Sequence, residues 1–319
     1  MDTVSAALVE SFDESPRYRA IPSPAAGPGQ EVAELLAAGI HPVTRAVASG
    51  RHYSSSRALP IVPGVDAVVR RGDGSLAYAG GAGGGTMAER IVIDPRAVIP
   101  LPESADPAVI AASMNPAMSS WVVLTSRVPL SPGQTVLVLG ATGAAGSLAV
   151  KAARHLGAGR VVAAGRDEQR LEQLLTEGAD DRIVLTADDD ETTAAIAAVA
   201  ADADIVLDYL WGSQAERAMR ALVMARRDHA RLLDWVHIGG TAGQSISLDG
   251  ALLRSNALRI SGSGLGSVDL RTAHLPELAE AVASGVLAIR PRVVPLPLAE
   301  VEQEWDHVDA RGERTVVVP

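Results

Sequence analysis

Three glycines, Gly140, Gly143 and Gly146, follow one another at three-residue intervals in the stretch VLGATGAAG. Glycines in such a turn let the backbone bend sharply and come close to a ligand, and the amides that open a following helix point at an anion. The chemistry this suits is the holding of a pyrophosphate. Gly143, Ala144, Ala145 and Gly146 would supply the amides, with Gly140 and Thr142 completing the turn. The spacing GxxGxxG is looser than the dinucleotide fingerprint GxGxxG, so the triplet alone also fits a turn that only packs a helix on a strand.

The flanking residues supply the elements that such a turn needs. A β-branched apolar run at 135–139 reads as a strand, and small and apolar residues recur at helical spacing through Leu156. Gly157 and Gly159 stop that helix, and residues 160–164 start a second apolar strand, which closes a βαβ unit with a parallel pair. Where an NAD site usually places an acid for the ribose 2′-hydroxyl, this chain has Gly165 and then Arg166. Gly165 removes the charge that would repel a 2′-phosphate, and the Arg166 guanidinium offers a planar fork of donors to bind one. The pair predicts NADPH over NADH, with a solvated cation at a helix start as the alternative for Arg166. Arg170, one helical turn on, either joins it or pairs with neighbouring acids.

The remaining composition sets bounds. The 319 residues suffice for two domains, and a formal charge of -10 with no Lys/Arg run argues against a nucleic-acid partner. Lys151 is the single lysine. With no cysteine there is no disulfide, no thiolate nucleophile and no Cys-based zinc site, and the seven histidines are scattered without metal-ligand spacing. Residues 1–20 carry four acids and no long apolar stretch, and apolar runs elsewhere are short or interrupted by charge, so the expectation is a soluble cytoplasmic protein without a membrane partner.

Taken in order, the chain reads as short strands at 4–9 and 18–21, a Pro/Gly stretch, and a segment from 31 that fits helix or strand and ends at His41-Pro42. A polar loop spans 51–64, and an antiparallel sheet is expected over about 60–100, with a mobile or tightly turning segment at 80–85. A helix capped by Asp106 covers 107–128 and is broken at Asn115-Pro116. Strands at 136–139, 161–164, 182–185, 204–208, 232–238 and 258–261, with helices between the first five, give a doubly wound parallel sheet. The tail reads as helix 275–284, strand 292–297, helix 298–309 and strand 315–318.

The order of these pieces, together with IVPGVDAVV at 61–69, GTMAERIVI at 85–93, the turn VLGATGAAG and the ending GERTVVVP, resembles the medium-chain dehydrogenase/reductase superfamily. The chain is most similar to its zinc-free quinone oxidoreductase and enoyl reductase branch, over nearly its whole length. The resemblance implies an α/β fold in which a GroES-like, strand-rich catalytic domain accompanies a Rossmann domain with a doubly wound parallel sheet. Residues 1–120 would form the first, 121–264 the second, and 265–319 would complete the first. It also implies NADPH in a cleft, hydride transfer to a quinone or an α,β-unsaturated carbonyl, a small-molecule substrate and a homodimer. Zinc-dependent relatives carry a ligating histidine where this chain has Val65, so the same comparison argues against a metal.

Hydride transfer needs positioning in a dry pocket more than acid or base chemistry, but a donor should face the oxygen that gains charge. The candidates are Tyr53, His52 and His41, with Ser119 near the nicotinamide, and water as the alternative proton source. His41 and Thr44 stand where many quinone reductases have Asn and Asp, which leaves the substrate open. By resemblance, Asp208, Tyr209 and Leu210, then His237, Ile238, Gly239 and Gly240, and the run 262–266 with Gly264 flank the cofactor. A short-chain dehydrogenase is excluded because its Tyr-x-x-x-Lys would need Lys151 four residues after a tyrosine, where Ser147 stands. The other reading left open is a redox-inactive NADPH-binding sensor, or a biosynthetic enzyme using the fold for a non-redox step such as cyclisation.

Overall fold

The computed structural model describes residues 2–56, 58–80, 85–264, 267, 274–295, 301–310 and 312–319. Two compact units result, one from Met1–Pro116 with Leu275–Pro319 and one from Ala117–His274.

The first unit opens with β1 (Thr3–Leu8) and β2 (Arg17–Pro22), paired antiparallel. The ambiguous segment after residue 31 is a strand, β3 (Glu31–Gly39). Its Ala and Leu residues favour helix, but Ala33, Leu35 and Ala38 are buried in one core cluster while the backbone pairs with three other strands, and sheet packing wins. Pro42 does more than end this strand. It occupies the first turn of α1 (Pro42–Ala48), a helix that the sequence reading lacks, where a missing N–H costs nothing. Strands β4 (Asp66–Arg70), β5 (Leu76–Gly80), β6 (Arg90–Ile93) and β7 (Ile99–Pro100) form the expected antiparallel array. Within the turning segment expected at 80–85, residues 81–84 lie outside the described residues.

Helix α2 (Pro107–Val122) starts as expected, with Asp106 Oδ1 accepting the Ala108 and Val109 amides at 2.8 and 3.2 Å. It does not break at Asn115-Pro116. Pro116 lies inside the helix, where it forfeits one backbone bond, and the fully buried Ile110, Ala111, Ala112, Met114 and Ala117 hold the turns on either side. A π-helical turn, Val123–Arg127, follows. Pro107–Arg127 is apolar and long enough to cross a bilayer by composition, but most of it is buried, as in a core helix.

The second unit alternates strand and helix: β8 (Thr135–Leu139), α3 (Ala144–His155), β9 (Arg160–Gly165), α4 (Glu168–Thr176), β10 (Asp181–Val184) and α5 (Asp189–Ala200). It continues with β11 (Ile205–Asp208), α6 (Gly212–Ala225), β12 (Leu233–His237), α7 (Gly250–Ser255) and β13 (Leu258–Gly262). The strands are parallel in the order β10-β9-β8-β11-β12-β13. Both faces are covered, as a parallel sheet requires. Val136 and Val138 pack with Ala149, Val150, Leu171 and Leu174 on one side, and Leu137 and Leu139 with Ile196, Met219 and Leu222 on the other. Strand order reverses between β8 and β11, and such a reversal opens a ligand crevice at the carboxyl ends of the strands.

The tail returns to the first unit as α8 (Leu275–Ala283), β14 (Arg290–Pro295), α9 (Val301–Glu304) and β15 (Glu313–Val318). Of the helix expected over 298–309, residues 298–300 lie outside the described residues, and the described part is helical only over α9, ending at Glu304. Beyond α9 the Arg45 side chain donates to the Trp305 and His307 carbonyls at 2.6 and 2.9 Å, which fixes an irregular path in place of further helix. The first unit's larger sheet runs β14-β15-β3-β4-β5-β7, with β6 also paired to β3.

Candidate active site

In the second unit, the end of β8 turns at Gly140, whose φ of 88° lies in the left-handed region that glycine tolerates best. The Gly140 and Ala141 amides both donate to the Ala164 carbonyl at 2.9 Å, which pins the turn to β9. Thr142 lies against Gly165, where a Cβ would meet its Cγ2 at 2.6 Å. Gly143 is the N-cap of α3 and makes no side-chain cap bond. The amides of Ala144, Ala145 and Gly146 are therefore left for an outside acceptor, beside the positive end of a twelve-residue helix. Gly146 is required by packing: a Cβ there would fall 2.2 Å from the Gly140 oxygen. This arrangement suits a pyrophosphate, with room at Gly143, where a Cβ would find nothing nearer than the Gly140 oxygen at 3.6 Å.

At the end of β9, Arg166 is exposed and has no ion-pair partner among the described residues. Arg170 is different, and its expected place beside a phosphate is corrected. It is buried, and its guanidinium donates to both Glu177 oxygens, at 2.5 and 2.9 Å, and to Gln173 at 3.1 Å. Lys151 also reaches Glu177, at 3.1 Å. The Arg170 bond holds the Glu177 carboxyl below the usual glutamate range; burial, next in size, opposes it, and Lys151 adds to the lowering. A depressed carboxylate adds stability above its unfolded pKa and loses it as pH falls through the folded value. Urea unfolding from pH 7 down to pH 3 should thus show a loss of stability that Glu177→Gln partly removes. An unchanged pH slope in the variant would rule this group out.

The ends of β11 and β12 hold a second set. Asp208 is fully buried, accepting the Leu210 and Trp211 amides at 2.8 and 3.0 Å and the Trp235 indole N–H at 2.9 Å. Burial raises its pKa, and those bonds oppose the rise. The next residue, Tyr209, lies against the glycine turn: a Cβ at Gly140 would be 3.2 Å from Tyr209 Cβ and 3.0 Å from Leu210 Cδ2. Its hydroxyl is 2.9 Å from Ser119 Oγ, and burial pushes its pKa up to about 12. Two residues chosen on separate grounds, Ser119 and Tyr209, are therefore in contact. The Ile238 and Gly239 amides donate to the Asp208 carbonyl at 2.8 and 3.1 Å. The His237 ring lies 4.4 Å from that of Trp211, tilted by 56°, and burial lowers its pKa although Asp208 raises it. The sequence reading missed Trp211. It has a φ of 54°, rare for a bulky residue, and its only sequence signal is an aromatic before Gly212 at a strand end. The Gly264 amide donates to Ser267 Oγ at 3.0 Å on an exposed turn, and residues 265 and 266 of the expected 262–266 run lie outside the described residues.

In the first unit, Tyr53 is 73% exposed and its ring lies 4.1 Å from that of His52. His52 Nδ1 is 2.7 Å from Ser54 Oγ, and burial lowers the His52 pKa. His41, expected beside them as a donor to substrate, is only 1% exposed. As the N-cap residue of α1 it is drawn inside, where its amide donates to Thr44 Oγ1 at 3.3 Å and its Nε2 lies 3.3 Å from Asp66 Oδ2 without hydrogen-bond alignment. Tyr78 donates to the same Asp66 oxygen at 2.8 Å, and burial with the Asp66 charge holds the phenol well above its usual pKa. This buried set removes His41 from the groups that can touch a substrate. No cluster of three or more His, Cys, Asp or Glu among the described residues could hold a metal ion. His41 and Asp66, one oxygen of which already accepts from Tyr78, do not make a zinc site.

Comparison with known proteins agrees with this fold. Residues 144–284 match the family described as Zinc-binding dehydrogenase. The chain is 30% identical to the Probable NADPH-dependent quinone reductase tdiC of Emericella nidulans, over 98% of this chain and 99% of that protein. The chain belongs to the medium-chain dehydrogenase/reductase superfamily. Within that superfamily its fold matches the quinone oxidoreductase of Thermus thermophilus, solved alone and with NADPH, at a TM-score of 0.78 and 25% identity over 99% of this chain and all of that one. A mycobacterial quinone oxidoreductase has the same fold, with a TM-score of 0.82 at 19% identity over 99% of this chain and all of that one. The superfamily's pairing of a GroES-like part with a Rossmann part accounts for the antiparallel array of the first unit and the parallel sheet of the second.

Proposed function

We propose that this member of the superfamily is an NADPH-dependent reductase that delivers hydride, without a metal ion, to a quinone or to the double bond of an α,β-unsaturated carbonyl. The observation that carries the reading is the glycine turn at the strand-order reversal, followed by an uncapped helix and, across β9, by Gly165 and an Arg166 with no ion-pair partner among the described residues. The amides of Ala144, Ala145 and Gly146 hold the pyrophosphate, and Arg166 binds the 2′-phosphate. Tyr209, Leu210, His237, Ile238, Gly239 and Gly264 line the remainder of the dinucleotide site, with Ser119 beside Tyr209. The named relatives support the choice of cofactor.

When bound, NADPH supplies the hydride, and the protein's part is to orient, to exclude water and to meet developing charge. As hydride arrives at carbon, the acceptor oxygen becomes negative and needs a hydrogen-bond donor. Tyr53 offers a phenol for this. His52, whose pKa burial lowers, offers a ring N–H. Water supplies the proton if neither reaches. Catalysis by a soluble homodimer is part of the same proposal, with β13 at the end of the parallel sheet as an edge that a second copy could extend.

The test is loss of absorbance at the nicotinamide band, with NADPH or NADH and a panel of benzoquinones and enones. Turnover with NADPH and at least one acceptor is expected. NADPH binding without oxidation by any acceptor would favour the redox-inactive reading, and turnover only after added zinc would overturn the metal-free one.

A further inference from the structure

Glycine at position 165 is not demanded by its own backbone. Its φ lies outside the left-handed region, and it stands in β9 in register with Val184 of β10, a conformation that residues with side chains adopt freely. Space is what excludes a side chain. A Cβ at Gly165 would fall 2.6 Å from Thr142 Cγ2, 2.9 Å from its Oγ1 and 3.3 Å from its Cβ. A threonine carries two heavy atoms on Cβ for three staggered positions, and here both face Gly165, so turning χ1 leaves at least one of them in the way. Movement of the backbone would break bonds on either side. The turn that carries Thr142 is tied to β9 by the Gly140 and Ala141 amides, both 2.9 Å from the Ala164 carbonyl, and the Gly165 carbonyl accepts the Leu185 amide at 2.7 Å.

The end of β9 is where a dinucleotide site reads the ribose 2′ position, and an acid there selects the free hydroxyl over the phosphate. We propose that Thr142 is a specificity-determining residue: it fills the space that such an acid would need, so that Thr142 and Gly165 act as a pair that keeps the site from reading NADH. Arg166 supplies the attraction for the 2′-phosphate, and Thr142 supplies the obstacle to the rival arrangement, the two halves of which discrimination is commonly made. An acid introduced at position 165 therefore cannot change the cofactor while Thr142 remains. This rests on the NADPH reading above and adds to it a steric lock on the choice between the two dinucleotides.

The test measures NADH and NADPH binding by calorimetry, with urea unfolding, for the wild type, Thr142→Ala, Gly165→Asp and the double variant. Removing Cγ2 and Oγ1 leaves only the Thr142 Cβ, at 3.3 Å, which a small shift relieves. Gly165→Asp alone is expected to lower the unfolding midpoint and to gain no affinity for NADH. In the double variant the midpoint should partly recover, and NADH should bind about tenfold or more tightly than to Gly165→Asp, the size of a hydrogen bond to a charged group. Thr142→Ala alone should bring no such gain. Tighter NADH binding by Gly165→Asp than by the wild type, a double variant no better than Gly165→Asp, or an equal gain from Thr142→Ala alone would each overturn the proposal while leaving NADPH as the cofactor. If the wild type binds neither dinucleotide, the cofactor reading fails and the lock fails with it. Should Gly165→Asp not fold, the double variant is compared with the wild type, where a gain in NADH affinity of the same size is expected and its absence decides against the proposal.

Discussion

Replacing Arg166 by alanine is expected to weaken NADPH binding by roughly 10- to 100-fold and to leave NADH within about twofold. A hydrogen bond to a charged group contributes about 1.5 to 3 kcal/mol, which converts to that range. The effect should be specific because Arg166 is exposed, has no ion-pair partner among the described residues and follows a glycine in place of an acid. Its removal disturbs no structural bond, unlike that of Arg170. Titration of both dinucleotides into both proteins at two salt concentrations checks it, and the NADPH advantage of the wild type should fall as salt rises. Equal losses for NADH and NADPH would show that the guanidinium serves the fold or the pyrophosphate, not the 2′-phosphate.

A second large effect is expected from the glycine turn, where two substitutions separate folding from binding. In Gly146→Ala the new methyl would lie 2.2 Å from the Gly140 oxygen and 2.8 Å from the Ala141 Cα. Both are backbone atoms, so no side chain can swing aside, and the helix must move away from the strand. Overpacking of this kind costs about 1 to 3 kcal/mol, and more where backbone is the obstacle. Urea unfolding should show it, and NADPH binding should be lost at the same time because the amides of α3 move with the helix. In Gly143→Ala the nearest protein atom is 3.6 Å away, so unfolding should change by less than about 1 kcal/mol. Binding should still fall, since the methyl occupies the approach of the phosphate. If Gly143→Ala binds NADPH as wild type does, the anion is not held at this turn.

The parallel sheet of the second unit was legible in the sequence because each of its signals is local. Apolar runs of strand length, helical spacing between them and glycines at the turns all lie within about thirty residues of one another. The residues of the site that depend on distant partners were not. Nothing near Arg170 in sequence distinguishes a phosphate ligand from a partner of Glu177, because both lie in reach of the same flexible side chain. His41 read as a cleft residue. Only the register of β3, β4 and β5, which brings Asp66 and Tyr78 to the N-cap of α1, shows that it is enclosed. Pro116 read as a break because proline weakens a helix locally, whereas the packing that keeps α2 continuous comes from elsewhere. The contact of Ser119 with Tyr209 joins residues 90 apart and could not be read from either alone.

The place of β15 between β14 and β3 has a consequence for how the polypeptide is made. The strands of the parallel sheet emerge from the ribosome in one unbroken stretch, so that unit can close while synthesis continues. The antiparallel array cannot, for one flank of β3 must wait through the whole of the intervening unit for residues 313–318. During that interval nascent chains would carry a bare strand edge, the kind of surface that pairs wrongly with a neighbour on the same messenger. Stalled chains lacking β15 are thus expected to hold a protease-resistant core from residues 117–274 while their first hundred residues are cut.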